Sequence, residues 1–418
     1  MTSTMIDASR ATYTPSSAAT LQPVAPTERI VGLDLLRGWA MFGVLWSNLN
    51  DWYFARTPRT PLDRALSFTQ DWLIESRFYS LLVLLFGIGF AIQLTRARDR
   101  GVDLRNVYLR RSAALLAIGL IHALLIWHGD VLVSYALASF GLLMFRDASP
   151  RQLLAWGIVL TCAGGYIGNH LHFALGQIYG VPENWAAGTG WAYAHGTLAQ
   201  IQSQRLHDVW HWWGFFGLTS FFTTLGAFLL GAWAYRSGLA ERVIANRATT
   251  LRFLGICVAV LLLGYSIDIF KWDRAIWPPL HAFPQGLWHW SSWNPRNVFV
   301  SLLYQPEGAG ALVYAALLLL AAQTRRGRAI LMPMAAVGRM GLTTYLTQSL
   351  ICTTLFYSYG LGWFGSATFT RIAIVTVTIY ALQLAVSPWW LKRFRFGPVE
   401  WLWRTVTYGH APAMRVRA

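Results

Sequence analysis

The stretch "LDLLRGWAMFGVLWSN", residues 33–48, is apolar enough to enter a membrane yet opens with an acid and a base, Asp34 and Arg37. Three residues apart on a helix, they share a face and can form an ion pair. At the centre of a bilayer each charge alone costs about 2.5–3.5 kcal/mol, so the pair belongs near a helix end. It is either a topological anchor, with Arg37 snorkelling to the headgroups and Asp34 neutralising it, or a brace for a polar cavity. Asn48 favours the cavity. It follows Arg37 by eleven residues. On a helix that spacing returns to within about 20° of the same face, about 16 Å further along the axis. An anchor needs no second polar group.

A second set lies in "GLIHALLIWHGDVL". His122 sits inside the apolar run, and His128 and Asp130 sit at the turn after it. Imidazole takes and returns a proton near neutral pH, so His122 is the candidate general base. The plainer alternative is a satisfied core histidine facing the bundle interior. Asp130 either orients the imidazole, binds an acceptor, or makes an ordinary turn beside Gly129. In "GRMGLTTYLTQS", Arg339, Thr343, Thr347 and Gln348 form a stripe at helical spacing, suited to interhelical hydrogen bonding or to lining a cavity. The candidate catalytic residues are thus His122, Asn48 and Asp130. The candidate cavity or substrate-binding residues are Asp34, Arg37, His128, Arg339, Thr343 and Gln348. No metal site is expected. His207 and His211 flank Asp208 four residues apart, but no third ligand follows at a telling spacing.

These residues must be positioned by membrane helices. The chain is 55% hydrophobic and 12% charged, against roughly 25% charged in soluble domains. Apolar runs recur at about 31–50, 78–95, 109–127, 131–146, 152–169, 215–235, 251–269, 308–323, 331–357 and 369–391. They predict an all-α integral membrane protein of about ten spans, because only helices satisfy the backbone within such segments. The fourth run is short, and the ninth is long enough to be tilted or broken near Tyr357. The inner connections then carry 24 Lys and Arg and the outer ones nine, which places both termini in the cytoplasm. The formal charge of +16 does not point to nucleic acid, since the basic residues sit in short clusters between apolar runs.

Residues 1–29, rich in Ser, Thr, Ala and Pro, read as a disordered cytoplasmic tail. Residues 30–409 form one polytopic domain, with a C-terminal signature region at about 250–409, and 410–418 is a second tail. Two long outer connections, about 170–214 and 270–307, hold ten of the 22 Trp, including Trp185, Trp191, Trp288 and Trp290. They form either an aromatic belt or a platform for sugar or lipid headgroups. Gly87 and Gly89 in "FGIGF" are expected to let helices approach closely. Cys162, Cys257 and Cys352 fall in apolar segments and read as small core residues. "LKRFRFGPVEWLWR" reads as an amphipathic inner-surface segment, with Glu400 and Arg404 placed to pair.

"RIVGLDLLRGWAMFGVLWSNL", "LLFGIGFAIQL", "GLIHALLIWHGDVLVSYA", "GRMGLTTYLTQSLI" and "WWLKRFRFGPVEWLWRTVTYG" together resemble the YeiB-like bacterial membrane proteins, domain-of-unknown-function family 418. The opening Asp34-x-x-Arg37-Gly38 is more distantly similar to membrane-embedded acyltransferases, such as heparan-alpha-glucosaminide N-acetyltransferase and the sugar O-acyltransferases. In the O-acyltransferases a His usually stands where this chain has Asn48, so the resemblance leaves the role of base to His122. It implies an acyltransferase of the bacterial plasma membrane with no bound cofactor and acyl-CoA as co-substrate. Its partners would be membrane lipids and an envelope sugar or lipid acceptor, with a homodimer open. Asn48 would hold the thioester carbonyl or its oxyanion. The alternative is a transporter or flippase of a small amphiphile, built on the same buried polar groups.

Overall fold

The computed structural model describes residues 30–52, 60–74, 77–179, 185–270 and 306–416. The tail before residue 30 and the second Trp-rich connection lie outside these residues, apart from the helix ends at 270 and 306–307. The described chain is helical, with only an isolated bridge between Phe394 and Arg415 outside that pattern. The helices are α1 (Val31–Trp52), α2 (Pro61–Thr69), α3 (Arg77–Asp99), α4 (Arg105–Leu125), α5 (Leu132–Leu142), α6 (Pro150–Tyr179), α7 (Trp185–His195) and α8 (Leu198–Arg236). They continue as α9 (Leu239–Ala245), α10 (Arg247–Phe270), α11 (Pro306–Ala322), α12 (Arg325–Arg339), α13 (Gly341–Phe356), α14 (Phe369–Leu391) and α15 (Pro398–Tyr408).

Every expected apolar run falls on a helix. Among the described residues four helices are long and apolar enough to cross a membrane: α3, α4, Arg247–Ser266 of α10, and α14. A fifth is counted if α12 and α13 form one broken span. The short fourth run is not one of them. The 11 residues of α5 and its 3-10 turn, Leu143–Phe145, rise only about 21 Å, short of a hydrocarbon core of about 30 Å. The ninth run breaks at Met340, where α12 and α13 meet at 80°, rather than near Tyr357, which merely ends α13.

Local signals set several boundaries. Thr60 and Asp63 form a capping box on α2, and Thr197 and Gln200 do the same on α8; each satisfies otherwise orphaned N–H groups. Pro398 starts α15 and Gly409, at φ 74°, ends it, as a left-handed cap requires. Residues 410–416 then fold back beside the end of α14, with Val416 N donating to Arg393 O at 3.0 Å and Arg395 N to Met414 O at 2.8 Å.

At the centre α1 packs on α12, α3, α14 and α13. It meets α12 backbone to backbone. A Cβ on Gly38 would overlap the Met334 carbonyl, and one on Gly338 would overlap the Asp34 carbonyl. Tyr380 Oη of α14 donates to Gly38 O at 2.8 Å from the other side. Gly87 makes a similar approach to Phe228 on α8, but Gly89 does not: its Cβ direction opens towards Arg37 Nη2 at 3.4 Å. Gly89 therefore makes room for a side chain instead of a helix.

Forcing α1 from α12 should be expensive. Gly38→Ala or Gly338→Ala is expected to lower stability by about 1–3 kcal/mol through overpacking, read as a fall in Tm in detergent. Gly255→Ala, where a Cβ meets nothing within 4 Å, is the control; an equal Tm in all three variants would refute the close-contact account.

Candidate active site

The central helices leave a cavity of about 320 Å³ lined by α1, α3, α4, α5, α12, α13 and α15. One end is rich in arginine: Arg37, Arg96, Arg111, Arg339 and Arg404 line it, with Asp34 and Glu400 as the carboxylates. Asp34 and Arg37 pair as their spacing predicts, Arg37 Nη1 donating to Asp34 Oδ1 at 3.0 Å. The Arg111 guanidinium lies over Trp403, 3.8 Å from the ring centroid, and the indole Nε1 donates to Arg111 O at 2.8 Å. This cation–π contact fixes α15 to α4.

Glu400 has a structural task. Its Oε1 accepts from Leu342 N at 2.6 Å and Thr343 N at 3.0 Å, and its Oε2 from Thr343 Oγ1 at 2.5 Å. The carboxylate thus caps the N-terminus of α13, where orphaned N–H groups and the helix dipole favour negative charge. Burial pushes the Glu400 carboxyl up, and the Thr343 bonds pull it back. Both oxygens face α13, so the pairing with Arg404 expected from spacing is not what positions Glu400.

The other end of the cavity is lined by Tyr79, Tyr135 and Tyr345. The Tyr79 hydroxyl lies 3.2 Å from Thr224 Oγ1, while the buried Tyr135 hydroxyl has no partner. Behind Tyr345, with ring centroids 5.1 Å apart, stands His122. It is 1% exposed, as is Asp130. The turn after α4 closes on them, so His122 Nδ1 lies 2.6 Å from Asp130 Oδ2. Asp130 Oδ1 accepts from Val133 N at 2.8 Å, which anchors the carboxylate to α5. His122 Nε2 has no partner. With Nδ1 donating to a carboxylate, Nε2 is left as the basic nitrogen, which is the arrangement of an oriented general base.

The sequence candidates divide accordingly. Asp34, Arg37 and Arg339 line the cavity; His122 and Asp130 do not line it but pair behind Tyr345, which does. Asn48 is half-buried on α1 and does not line the cavity. His128 lies beside another cluster, stacked over Tyr193 and 4.0 Å from Asp208. Asp208 accepts from Tyr193 Oη at 2.6 Å and Gln204 Nε2 at 2.8 Å. The 80° bend at Met340 breaks the stripe from Arg339 to Gln348. Beyond the bend, Thr343 binds Glu400, Thr347 Oγ1 donates to Thr343 O at 2.8 Å, and Gln348 Nε2 donates to Gln383 Oε1 at 2.9 Å and to Met41 O at 3.4 Å. His207 and His211 stack with ring centroids 4.1 Å apart; no group of three metal-ligating residues occurs among the described residues.

Sequence reasoning missed Arg96, Arg111, Tyr135 and Tyr345 as cavity residues. The arginines carry a visible signal, since Arg111 is the last base before an apolar run, but spacing alone assigns such residues to the positive inner surface.

A profile described as "Protein of unknown function (DUF418)" matches residues 234–410. The chain is 32% identical over 422 residues to "Uncharacterized protein YxaH" of Bacillus subtilis (strain 168), covering 93% of this chain and 97% of the relative. It is 31% identical over 410 residues to "Uncharacterized protein YeiB" of Escherichia coli (strain K12), covering 91% and 96%. A third relative, a 39.9 kDa protein from the amylase 3' region of Bacillus acidopullulyticus, is 26% identical over 392 residues.

Removing the Glu400 cap should loosen α13. Glu400→Ala strands two backbone donors and a hydroxyl, at an expected cost of about 1–3 kcal/mol. Hydrogen exchange at residues 341–345 should accelerate, and Glu400→Gln, which keeps an acceptor, should show less. Unchanged exchange in Glu400→Ala would mean that another group caps the helix.

Proposed function

The chain belongs to the YeiB-like DUF418 family, and from that premise we propose that it is a transmembrane acyltransferase. It would move an acyl group from cytoplasmic acyl-CoA to an envelope sugar or lipid acceptor. The observation that carries the reading is the His122–Asp130 pair: buried, 2.6 Å apart, with Nε2 unpartnered beside the tyrosine-lined end of an arginine-lined cavity.

The proposed reaction follows from that arrangement. Acyl-CoA enters from the arginine end, drawn by positive charge, and extends its thioester towards Tyr345. The acceptor enters from the opposite, Trp-rich side. Tyr345 swings aside, and His122 Nε2 takes the proton from the acceptor hydroxyl or amine as that atom bonds to the thioester carbon. Asp130 holds the tautomer and stabilises the imidazolium. The Tyr135 hydroxyl, which lines the cavity, donates to the developing oxyanion in place of Asn48, which does not line it. The carbon–sulfur bond then breaks, and the CoA thiolate takes the proton from His122. In this reading the chain spans the plasma membrane ten times, with both termini in the cytoplasm.

One observation favours a second reading, a transporter or flippase of an anionic amphiphile. The α12–α13 pair is a helix broken beside the cavity, a feature that recurs at transporter binding sites.

Radiolabelled acyl transfer by purified protein to an envelope lipid and sugar extract separates the two. His122→Ala and Asp130→Asn are each expected to lower transfer by roughly 10²–10⁴-fold while acyl-CoA binding persists. Undiminished transfer in His122→Ala would remove it from the mechanism. Movement of acyl-CoA across liposomes without any acylated product would establish the transporter instead. Loss of transfer in Asn48→Ala with binding intact would return the oxyanion role to Asn48.

A further inference from the structure

The arginine end holds more positive charge than its own carboxylates balance. Arg37, Arg111, Arg339 and Arg404 line it against Asp34 and Glu400. Asp34 bonds to Arg37 and Glu400 to the N-terminus of α13, so the carboxylates near enough to act on Arg339 and Arg404 have their oxygens engaged elsewhere. Arg111, Arg339 and Arg404 take part in no ion pair among the described residues, and the Nε of each is buried without a hydrogen-bond partner. Arg37 and Arg404 lie close enough to Arg111 for their like charges to act on it. The three arginines come from three helices, α4, α12 and α15, so no single helix's surface pattern accounts for their convergence.

Buried donors without acceptors are costly, and like charges repel more strongly in a low-dielectric site. An anion relieves both costs. Guanidinium forks match a tetrahedral phosphate, whose several oxygens can accept from more than one arginine at once. Beside the arginines the wall is apolar: Leu82, Phe86 and Phe90 line it at four-residue spacing along α3, and so share one face.

We propose that Arg111, Arg339 and Arg404 form a phosphate subsite for a phosphate-bearing amphiphile whose apolar tail lies along Leu82, Phe86 and Phe90. Acyl-CoA and a phospholipid share this chemistry. The inference deepens the acyltransferase reading, resting on the same cavity, but does not depend on the chemistry of His122.

The test is thermal stabilisation of the purified full-length protein by octanoyl-CoA and by dioctanoyl phosphatidic acid, with octanoyl-pantetheine and dioctanoylglycerol as phosphate-free counterparts. Ligands that bind only the folded form must raise the apparent Tm. A saturable rise is expected with at least one phosphate-bearing probe and with neither counterpart, and inorganic diphosphate should compete. Response to octanoyl-CoA alone assigns the phosphate to a nucleotide thioester; response to phosphatidic acid alone assigns it to a lipid headgroup. Arg111→Gln and Arg404→Gln are expected to weaken binding about tenfold or more, and His122→Ala to leave it unchanged. Binding kept but transfer absent would discard the catalytic reading and leave the subsite standing. Equal response to the phosphate-free probes, no response to any probe, or no competition by diphosphate in the unmodified protein overturns the subsite; these readouts do not require the arginine variants to fold.

Discussion

The close contact of α1 with α12 is the constraint on which the site depends. Only glycine at positions 38 and 338 lets the two backbones meet, since a Cβ at either would occupy a carbonyl of the other helix. In a membrane, helix association draws on such close packing because lipid is as apolar as the helix surface. The contact puts Asp34 and Arg37 of α1 and Arg339 of α12 on one cavity wall. Tyr380 holds the same point on α1 through Gly38 O. Moving these helices apart would separate the charges from one another and open the cavity to lipid.

Two kinds of polar burial coexist around that contact. Glu400, Gln348 and Asp208 are buried and hydrogen-bonded by neighbouring helices; they brace the bundle. The Nε atoms of Arg111, Arg339 and Arg404, the Tyr135 hydroxyl and His122 Nε2 are buried and unpartnered. Natural proteins seldom bury such groups unsatisfied. Such atoms occur elsewhere among the described residues, on Trp39, Gln70 and Thr376 for example, but the three arginines and Tyr135 bring theirs to one cavity, and His122 stands behind a lining tyrosine. The two ends also differ chemically: arginines gather at one, and tyrosine hydroxyls at the other, with the unpartnered His122 Nε2 behind them. Along α4 alone, Arg111 and His122 are eleven residues apart, a rise of about 16 Å, so one ligand would have to be elongated to engage both.

The bend at Met340 connects these functions. It ends α12 with Arg339 at the cavity and starts α13 with its N-terminal donors facing Glu400. A straight helix through this segment would place Arg339 and Thr343 on one face. The bend gives them different tasks, with Arg339 lining the cavity while Thr343 ties α13 to α15.

Sequence by itself determined the class of the molecule, the position of its apolar helices and the Asp34–Arg37 pair. These depend on composition, on runs of apolar residues and on contacts within one turn, all of which are local. It also singled out His122 and Asp130, because a histidine in an apolar run followed by an acid at a tight turn brings both to one helix end. The convergence of Arg111, Arg339 and Arg404 was decided only by the tertiary structure, since these residues lie on α4, α12 and α15 and meet through helix packing that no local periodicity records. The same holds for the hydrogen bonds that take Thr343 to Glu400 and Gln348 to Gln383. A helical face says which residues point the same way, but the neighbouring helix decides whether that direction holds a cavity, a hydrogen-bond partner or neither.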